Sequence, residues 1–204
     1  MMLFNQWLAH TKPIMPVIVL DDVKQALPLA DALAEGGVHF LEFTLRTDAG
    51  LQAIEEIARQ RSSALVGAGS VLDVGMMKAA FDAGAKFCVS PGFSVALCEM
   101  AQHLKMPYLP GVATASDVML AHEMGFDLVK FFPAGLAGGV PMLKAYAGPF
   151  PQMRFCPTGG ISEQNAREYL SLPNVAMIGG SWLCAPELLR SGDFKRISQL
   201  ASAC

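Results

Sequence analysis

Short apolar runs alternate with segments of helical period along this chain. Each run has the length of a typical β-strand, and we predict strands at residues 14–20, 38–44, 64–68, 86–90, 107–110, 127–131, 153–157 and 175–178. Between them, segments such as 25–35 and 51–59 repeat apolar residues on one face, as amphipathic helices do. Alternating strands and helices predict parallel strands joined by right-handed crossovers.

Polar residues and glycines at the segment boundaries support this division. Side chains that favour helix N-termini open the predicted helices, at Asp22, Thr47, Asp73, Ser94, Ser116 and Ser162. Glycines close helices at Gly36, Gly84 and Gly125, and each of these leads into a predicted strand.

Eight strand–helix units are enough to close a barrel, so we predict a single (β/α)8 TIM barrel of the α/β class, one domain spanning residues 1–204. Residues 1–10 are predicted to form an N-terminal capping helix across its bottom. The main alternative is an open, doubly wound sheet, but its G-x-G-x-x-G fingerprint is absent after the first strand. Glycine pairs instead follow the seventh and eighth strands, where barrels often bind phosphate.

Composition argues against several classes of function. The chain has 204 residues, of which 52% are hydrophobic and 16% charged, so it can bury a large core. Its net charge is −3 and it has no basic stripe, which argues against a nucleic-acid partner. The apolar runs are far shorter than the roughly 20 residues of a membrane span, and the N-terminus does not resemble a signal peptide. We therefore expect a cytoplasmic protein with no membrane partner.

The residues that commonly bind metals are not spaced as a metal site. The 5 cysteines contain no CxxC pair, which predicts reduced thiols rather than a zinc site or a disulfide framework. The histidines likewise form no H-x-H or H-E-x-x-H group. The sequence therefore predicts no metal.

The sixth predicted strand carries a lysine among apolar residues. Side chains alternate faces along a strand, so Lys130 points into the barrel if Val129 and Phe131 face the helices. Burial disfavours the charged form of an amine, and a neutral amine can attack a carbonyl to form a Schiff base. The alternative is a structural lysine that reaches solvent from the strand end.

The second predicted strand places a carboxylate and a guanidinium on one face. Glu42, Thr44 and Arg46 alternate with apolar residues and therefore point the same way. Glu42 is suited to proton transfer, and Arg46 to binding a substrate carboxylate through its planar fork. A structural ion pair between them at the barrel mouth is the alternative.

Glycine pairs at 159–160 and 179–180 follow the seventh and eighth predicted strands. Glycines let backbone N–H groups approach an anion closely, and a following helix adds its positive dipole end. Two such pairs, after these two strands, predict a phosphate site. The glycines before Ser70 are less specific, since they are also explained by a tight turn.

Six segments together resemble the family of 2-keto-3-deoxy-6-phosphogluconate (KDPG) aldolase and 4-hydroxy-2-oxoglutarate aldolase. They are Glu-Phe-Thr-Leu-Arg-Thr at 42–47, Gly-Ala-Gly-Ser-Val-Leu at 67–72, Ser-Pro-Gly-Phe at 90–93, Val-Lys-Phe-Phe-Pro-Ala at 129–134, Arg-Phe-Cys-Pro-Thr-Gly-Gly-Ile at 154–161 and Ile-Gly-Gly-Ser-Trp at 178–182. The resemblance runs in order over residues 16–194. The chain departs from the family at Ser70, often Thr, and at Val19, where some members carry Arg. The segments at 43–46 and 157–160 resemble the branch acting on the gluconate rather than on its galactonate epimer.

The resemblance implies a class I aldolase that needs no cofactor or metal. It implies cleavage of the phosphorylated keto-deoxy sugar acid to pyruvate and D-glyceraldehyde 3-phosphate, with 4-hydroxy-2-oxoglutarate as a second substrate. Lys130 is then the Schiff-base residue and Glu42 the general acid/base. Substrate-binding residues are implied at Arg46, Ser70, Pro91, Gly92, Phe132 and Thr158, and phosphate-binding residues at Gly159, Gly160, Gly179, Gly180 and Ser181. The family commonly assembles as a homotrimer.

Two other functions remain open from the residues alone. A phosphosugar isomerase on the same barrel needs Glu42 as a base but no nucleophilic lysine. A non-catalytic phosphosugar-binding barrel uses the glycine turns and leaves an inward Lys130 and Glu42 unexplained.

Overall fold

Parallel strands and surrounding helices make up the computed structural model, which describes residues 2–61 and 64–204. The strands are β1 (Ile14–Ile18), β2 (Phe40–Thr44), β3 (Leu65–Gly69), β4 (Phe87–Val89), β5 (Tyr108–Leu109), β6 (Gly111–Val112), β7 (Leu128–Phe131), β8 (Arg154–Pro157) and β9 (Ile178–Gly180). The helices are α1 (Met2–Leu8), α2 (Ala26–Glu35), α3 (Asp48–Gln60), α4 (Val74–Asp82), α5 (Val95–Leu104), α6 (Ala115–Glu123), α7 (Gly139–Tyr146), α8 (Ala166–Leu170), α9 (Pro186–Ser191) and α10 (Phe194–Ser202).

The strands form a curled parallel sheet of six strands and a second sheet of three. The larger has the order β5-β4-β3-β2-β1-β9, and the smaller β6-β7-β8. A parallel bridge between Thr158 and Gly179 links the end of β8 to β9. The fifth predicted strand, at 107–110, is found as β5 and β6 on either side of Pro110. Proline has no backbone N–H and therefore interrupts the ladder of hydrogen bonds there.

Most predicted helix starts agree with the structure, and two are wrong. Asp73 and Ser94 each accept a hydrogen bond from the first turn of the helix that follows. Helix α6 begins at Ala115 rather than after Ser116, because Thr114 and Asp117 form a reciprocal capping box that satisfies two N–H groups. Helix α8 begins only at Ala166, well after Ser162.

Two cores lie on the two faces of the strands. Outward-facing residues such as Leu41 and Val129 pack in a large core with helix residues, including Leu29 and Ile54. Inward-facing residues form a smaller core of Phe4, Met15, Phe40, Phe87, Val89, Leu109, Leu128, Cys156 and Met177. The interior is therefore filled with side chains up to the level at which polar residues begin.

Helix α1 lies against the inward core. The ring of Phe4 is buried, and its centroid lies 6.2 Å from that of Phe40 and 5.7 Å from that of Phe87. Met1, which the predicted capping helix includes, lies outside the described residues. Within the described part of the chain, every helix is too short or too polar to span a bilayer.

Candidate active site

Lys130 lies on the inward face of β7 and is paired with a carboxylate. Its strand neighbours Val129 and Phe131 are fully buried in the outer core, so alternation turns Lys130 the other way. The lysine is 5% exposed, and its Nζ donates a hydrogen bond to Glu42 Oε1 at 3.0 Å. The same Nζ lies 5.5 Å from the centroid of the Phe132 ring. The structure thus brings together the lysine and the carboxylate that the sequence singles out.

Glu42 is held on β2 with one carboxylate oxygen unengaged. The residue is fully buried between Leu41 and Phe43, whose side chains pack in the outer core. Oε1 accepts from Lys130, whereas the buried Oε2 has no hydrogen-bond partner among the described residues. A buried carboxylate oxygen without a donor is a strong acceptor, which suits it to receiving a proton.

A cavity of about 180 Å³ opens beside this pair at the carboxyl ends of the strands. Its walls combine a basic, glycine-rich side with an apolar one, formed by Val17, Val19, Arg46, Lys130, Phe132, Thr158, Gly159, Gly160, Ile161, Gly179, Gly180 and Ser181. The predicted lysine, arginine and both glycine pairs therefore share one cavity. Sequence reasoning misses Val17 and Ile161. The one signal that could have identified Val17 is the alternation of side chains along β1, which turns it inward.

Chemistry rather than volume identifies this cavity. Larger ones, of about 340 Å³ beside Trp182 and about 290 Å³ beside Tyr108, lack a buried lysine–carboxylate pair. Among the residues that the structure describes, no group of three or more His, Cys, Asp or Glu side chains could bind a metal ion.

Arg46 reaches the cavity from just beyond β2 and is oriented by Ser70. Its Nε donates to Ser70 Oγ at 3.0 Å, which fixes the plane of the guanidinium. Ser70 has a φ of 57°, in the left-handed region, at the end of β3. The bond through Nε leaves the four N–H groups of the two terminal nitrogens as further possible donors.

Gly159 and Gly160 form a turn that only glycine adopts easily. Their φ angles are 91° and 78°, where a side chain would be strained. The Gly159 carbonyl accepts from the Gly135 N–H, and the Gly160 carbonyl accepts from the Asn165 side chain. Both carbonyls are therefore engaged elsewhere, and the turn presents glycine backbone to the cavity.

Gly179 and Gly180 provide space for neighbouring side chains. A Cβ at Gly179 would lie 2.2 Å from Thr158 Oγ1, and one at Gly180 would lie 1.7 Å from a ring carbon of Trp182. Gly179 thus allows Thr158 to enter the cavity wall, and Ser181 follows at the rim. Sequence reasoning assigned these glycines to anion binding and did not identify the side chains that pack against them.

Pro91 and Gly92 are not among the residues that line the cavity. Their loop lies against Gly111, where an added Cβ would be 2.3 Å from the Pro91 carbonyl carbon. Because Gly111 pairs with Lys130 across β6 and β7, the loop is next to the lysine's strand. The structure therefore places the two predicted pocket residues at the edge of the site.

A buried hydroxyl that the sequence did not single out supports this loop. Ser90 Oγ donates to the Gly92 carbonyl at 2.6 Å and lies 2.5 Å from the Tyr108 hydroxyl, which must then donate to it. Burial raises the pKa of Tyr108, so its hydroxyl keeps the proton that it donates. No short motif marks this contact, because Tyr108 is 18 residues from Ser90.

The thiol of Cys156, next to the site, is unreactive at neutral pH. Cys156 pairs with Lys130 in register on β8, and burial raises the pKa of its thiol to about 12. It therefore stays protonated at neutral pH, which leaves little thiolate to act as a nucleophile.

Comparisons with known proteins agree on one family. The model of the KDPG and KHG aldolase family matches residues 6–200. The KHG/KDPG aldolase of Escherichia coli K12 is 48% identical over 191 residues, which cover 94% of this chain and 90% of that protein. The 2-dehydro-3-deoxy-phosphogluconate aldolase of Dickeya dadantii is 47% identical, over 93% of this chain and 89% of its own length.

Two similar crystal structures contain small molecules. KDPG aldolase from Legionella pneumophila, with pyruvate captured at low pH as a covalent carbinolamine, has a TM-score of 0.93 and 45% identity, covering 96% of this chain and 95% of its own. The Zymomonas mobilis ZM4 enzyme with 3-phosphoglycerate has a TM-score of 0.89 and 44% identity, covering 97% of this chain and 92% of its own.

Proposed function

This chain belongs to the KDPG and KHG aldolase family, and on that premise we propose that it cleaves 2-dehydro-3-deoxy-6-phosphogluconate to pyruvate and D-glyceraldehyde 3-phosphate. We propose that it also cleaves unphosphorylated 4-hydroxy-2-oxoglutarate. The observation that carries the proposal is the buried contact of Lys130 Nζ with Glu42 Oε1 at 3.0 Å, beside the cavity.

The first step is attack of the Lys130 amine on the C2 carbonyl of the substrate. Its proton passes to Glu42, 3.0 Å away, and the neutral amine adds to the carbonyl to give a carbinolamine. Glu42 then returns that proton to the carbinolamine hydroxyl, which leaves as water, and the product is an iminium ion, which is an electron sink. Pyruvate captured as a carbinolamine in the Legionella enzyme supports this step, since the two chains are 45% identical.

Glu42 moves the protons of the cleavage. As a carboxylate it accepts the proton of the C4 hydroxyl while the C3–C4 bond breaks, and the bond's electrons flow to the iminium nitrogen. Glyceraldehyde 3-phosphate leaves, and an enamine of pyruvate remains on Lys130. Protonation at C3 and addition of water at C2 release pyruvate and restore the free amine.

The remaining predicted residues bind the substrate's two ends. Arg46, oriented by Ser70, and Thr158 bind the carboxylate of the pyruvate half. Phe132 packs on one side of the imine, and the Pro91–Gly92 loop borders the other. Turns at Gly159–Gly160 and Gly179–Ser181 bind the phosphate, with the backbone of the first held by its engaged carbonyls.

We propose for the whole chain a complete (β/α)8 barrel, one domain over residues 1–204, with α1 as the capping helix. The parallel bridge between Thr158 and Gly179 and the one-residue gap at Pro110 support joining the two sheets. We also propose a homotrimer, as the family resemblance implies. Size-exclusion chromatography coupled to light scattering would test it.

Borohydride reduction in the presence of pyruvate tests the proposed activity. Reduction should fix a pyruvyl group on Lys130 alone, identified by peptide mass mapping, and Lys130→Ala should abolish both labelling and cleavage. Labelling at Lys86 or Lys144 instead would overturn the assignment. If no adduct is trapped but the protein turns over a phosphosugar in a reaction that requires Glu42, the isomerase is favoured. If no adduct is trapped and the protein turns over nothing, the non-catalytic binding barrel is favoured.

A further inference from the structure

Gly69 lies beside the carboxylate of Glu42, on the neighbouring strand. Strands β2 and β3 are parallel, with Glu42 opposite Gly67 and Thr44 opposite Gly69. An ideal Cβ built on Gly69 would lie 2.3 Å from Glu42 Oε1, 2.6 Å from Cγ and 2.8 Å from Cδ. The outer half of the glutamate side chain therefore occupies the space that any other residue at 69 would fill.

We infer that Gly69 is a positioning residue for Glu42: its missing side chain lets the carboxylate lie against β3 and reach Lys130. The inference rests on the proposed function, since it assigns Glu42 the proton transfers. It gives β3 a role in the reaction through Gly69, which touches neither the substrate nor Lys130.

The backbone at Gly69 cannot retreat to make room. Its carbonyl accepts from the Leu45 N–H at 2.8 Å, and its Cα is held in register with Thr44. Its φ is also outside the left-handed region, so alanine fits the local backbone without strain. A methyl group at 69 must therefore displace the glutamate side chain.

The displaced group is the one that the chemistry uses. Glu42 Oε1 is the atom that accepts from Lys130 at 3.0 Å, and it is also the atom nearest the added methyl. Because the displaced atoms are the far end of a side chain, we expect the fold to tolerate the change. A misplacement of about 1 Å at a reacting group costs on the order of 10²-fold in rate.

Two glycines provide matched controls. A Cβ at Gly67, two residues earlier on β3, would lie 2.5 Å from the Phe87 ring in the inward core, so Gly67→Ala should lower the melting temperature. Gly148 is exposed and has nothing within 4 Å of an added Cβ, so Gly148→Ala should behave as wild type.

The experiment compares Gly69→Ala with both controls in the full-length protein. Cleavage kinetics, exchange of the pyruvate methyl protons with D₂O and borohydride trapping are measured for each variant. We expect Gly69→Ala to lower kcat and methyl exchange together, each by about 10²-fold, with KM nearly unchanged and Lys130 still trapped. Gly67→Ala should lose thermal stability without a selective loss of exchange.

A Glu42→Ala background separates positioning from folding. Truncation at Cβ removes the Oε1, Cγ and Cδ atoms that the methyl at 69 would meet, so adding Gly69→Ala should change the residual rate by less than about 2-fold. Unchanged exchange in Gly69→Ala would overturn the inference. An equal loss in both backgrounds, or failure to fold even with Glu42→Ala, would also overturn it by making Gly69 a packing residue only. Failure to trap wild-type Lys130 would refute the proposed function instead.

Discussion

Lys130 and Glu42 are 88 residues apart in sequence, yet their Nζ and Oε1 atoms lie 3.0 Å apart. Their side chains are only 6% and 1% exposed, so each is the counter-charge of the other in a buried position. Removing one partner of a buried ion pair leaves the other uncompensated, which costs more than removing both. The pair therefore links catalysis to the stability of the fold.

We expect Lys130→Met to abolish cleavage and to reduce the free energy of unfolding by about 3–5 kcal/mol at neutral pH. The variant stays folded but leaves the Glu42 carboxylate buried without a cation. The double variant Lys130→Met/Glu42→Gln should recover part of that loss, because no charge is then stranded. Urea unfolding of the three proteins measures this, and a double variant no more stable than the single would contradict it.

Glu42→Gln should lower kcat by about 10²–10⁴-fold. The amide keeps the shape of the side chain but cannot take up the C4 hydroxyl proton. Pyruvate binding should change far less, which a pyruvate titration measures independently of turnover. A variant within a few-fold of the wild-type rate would mean that another group transfers the proton.

Ser181→Ala should lower kcat/KM for the 6-phosphorylated substrate by about 10- to 150-fold, the value of one hydrogen bond to a charged group. Cleavage of 4-hydroxy-2-oxoglutarate should be unaffected, since it has no phosphate to bind. Gly180→Val is a poorer probe, because a side chain there would collide with the Trp182 ring. Equal losses on both substrates would assign Ser181 to packing.

Asp117→Asn should destabilise the protein by about 1 kcal/mol at pH 7, because an amide oxygen accepts hydrogen bonds less strongly than a carboxylate does. Asp117 accepts hydrogen bonds from the Ala113 and Thr114 N–H groups at 3.0 and 2.9 Å. Burial alone would raise the pKa of this carboxyl, but these bonds outweigh burial and lower it below its ordinary value of 3.8.

The pH dependence of this effect follows from the lowered pKa. The stabilisation by Asp117 is complete above the unfolded-state pKa, near 3.8, and is lost as the pH falls through the lower folded-state value. The difference between wild type and Asp117→Asn should therefore shrink as the pH falls below about 4. Urea unfolding of both proteins at pH 7 and below about pH 4 tests this. A stability difference that stays constant between the two conditions would exclude the Asp117 carboxylate as its cause.

Prolonged treatment with EDTA should leave cleavage unchanged. The iminium at Lys130 accepts the electrons of the broken bond, so the proposed reaction needs no Lewis acid. Activity lost on chelation and restored by one divalent metal would place the enzyme in the other class of aldolase.

The sequence predicted most strands and the inward direction of Lys130 and Glu42, because both depend on local alternation; the eighth predicted strand, 175–178, overlaps β9 only at Ile178. Lys130 and Glu42 are polar residues on apolar strands, and a period of two is sufficient to orient them inward. The helix starts at Ser116 and Ser162 were wrong. Thr114 caps α6 two residues before Ser116, and α8 begins only after Asn165, whose side chain accepts from the Ser162 N–H.

What the sequence could not show are contacts between distant residues. A glycine in the chain does not reveal which side chain fills the space beside it. Gly69 and Gly179 are explained only by Glu42 and Thr158, which lie on other strands. The Ser90–Tyr108 hydroxyl pair joins neighbouring strands in the same way.

The placement of Lys130 and Glu42 also determines when a folding chain can become active. Glu42 belongs to the six-stranded sheet and Lys130 to the three-stranded one, so no single β/α unit contains both. Contacts of such long sequence separation form late, because their loop entropy must be lost before they are made. During refolding, helical signal should thus return before the capacity to cleave substrate, and a nascent chain should stay inactive until both sheets have met.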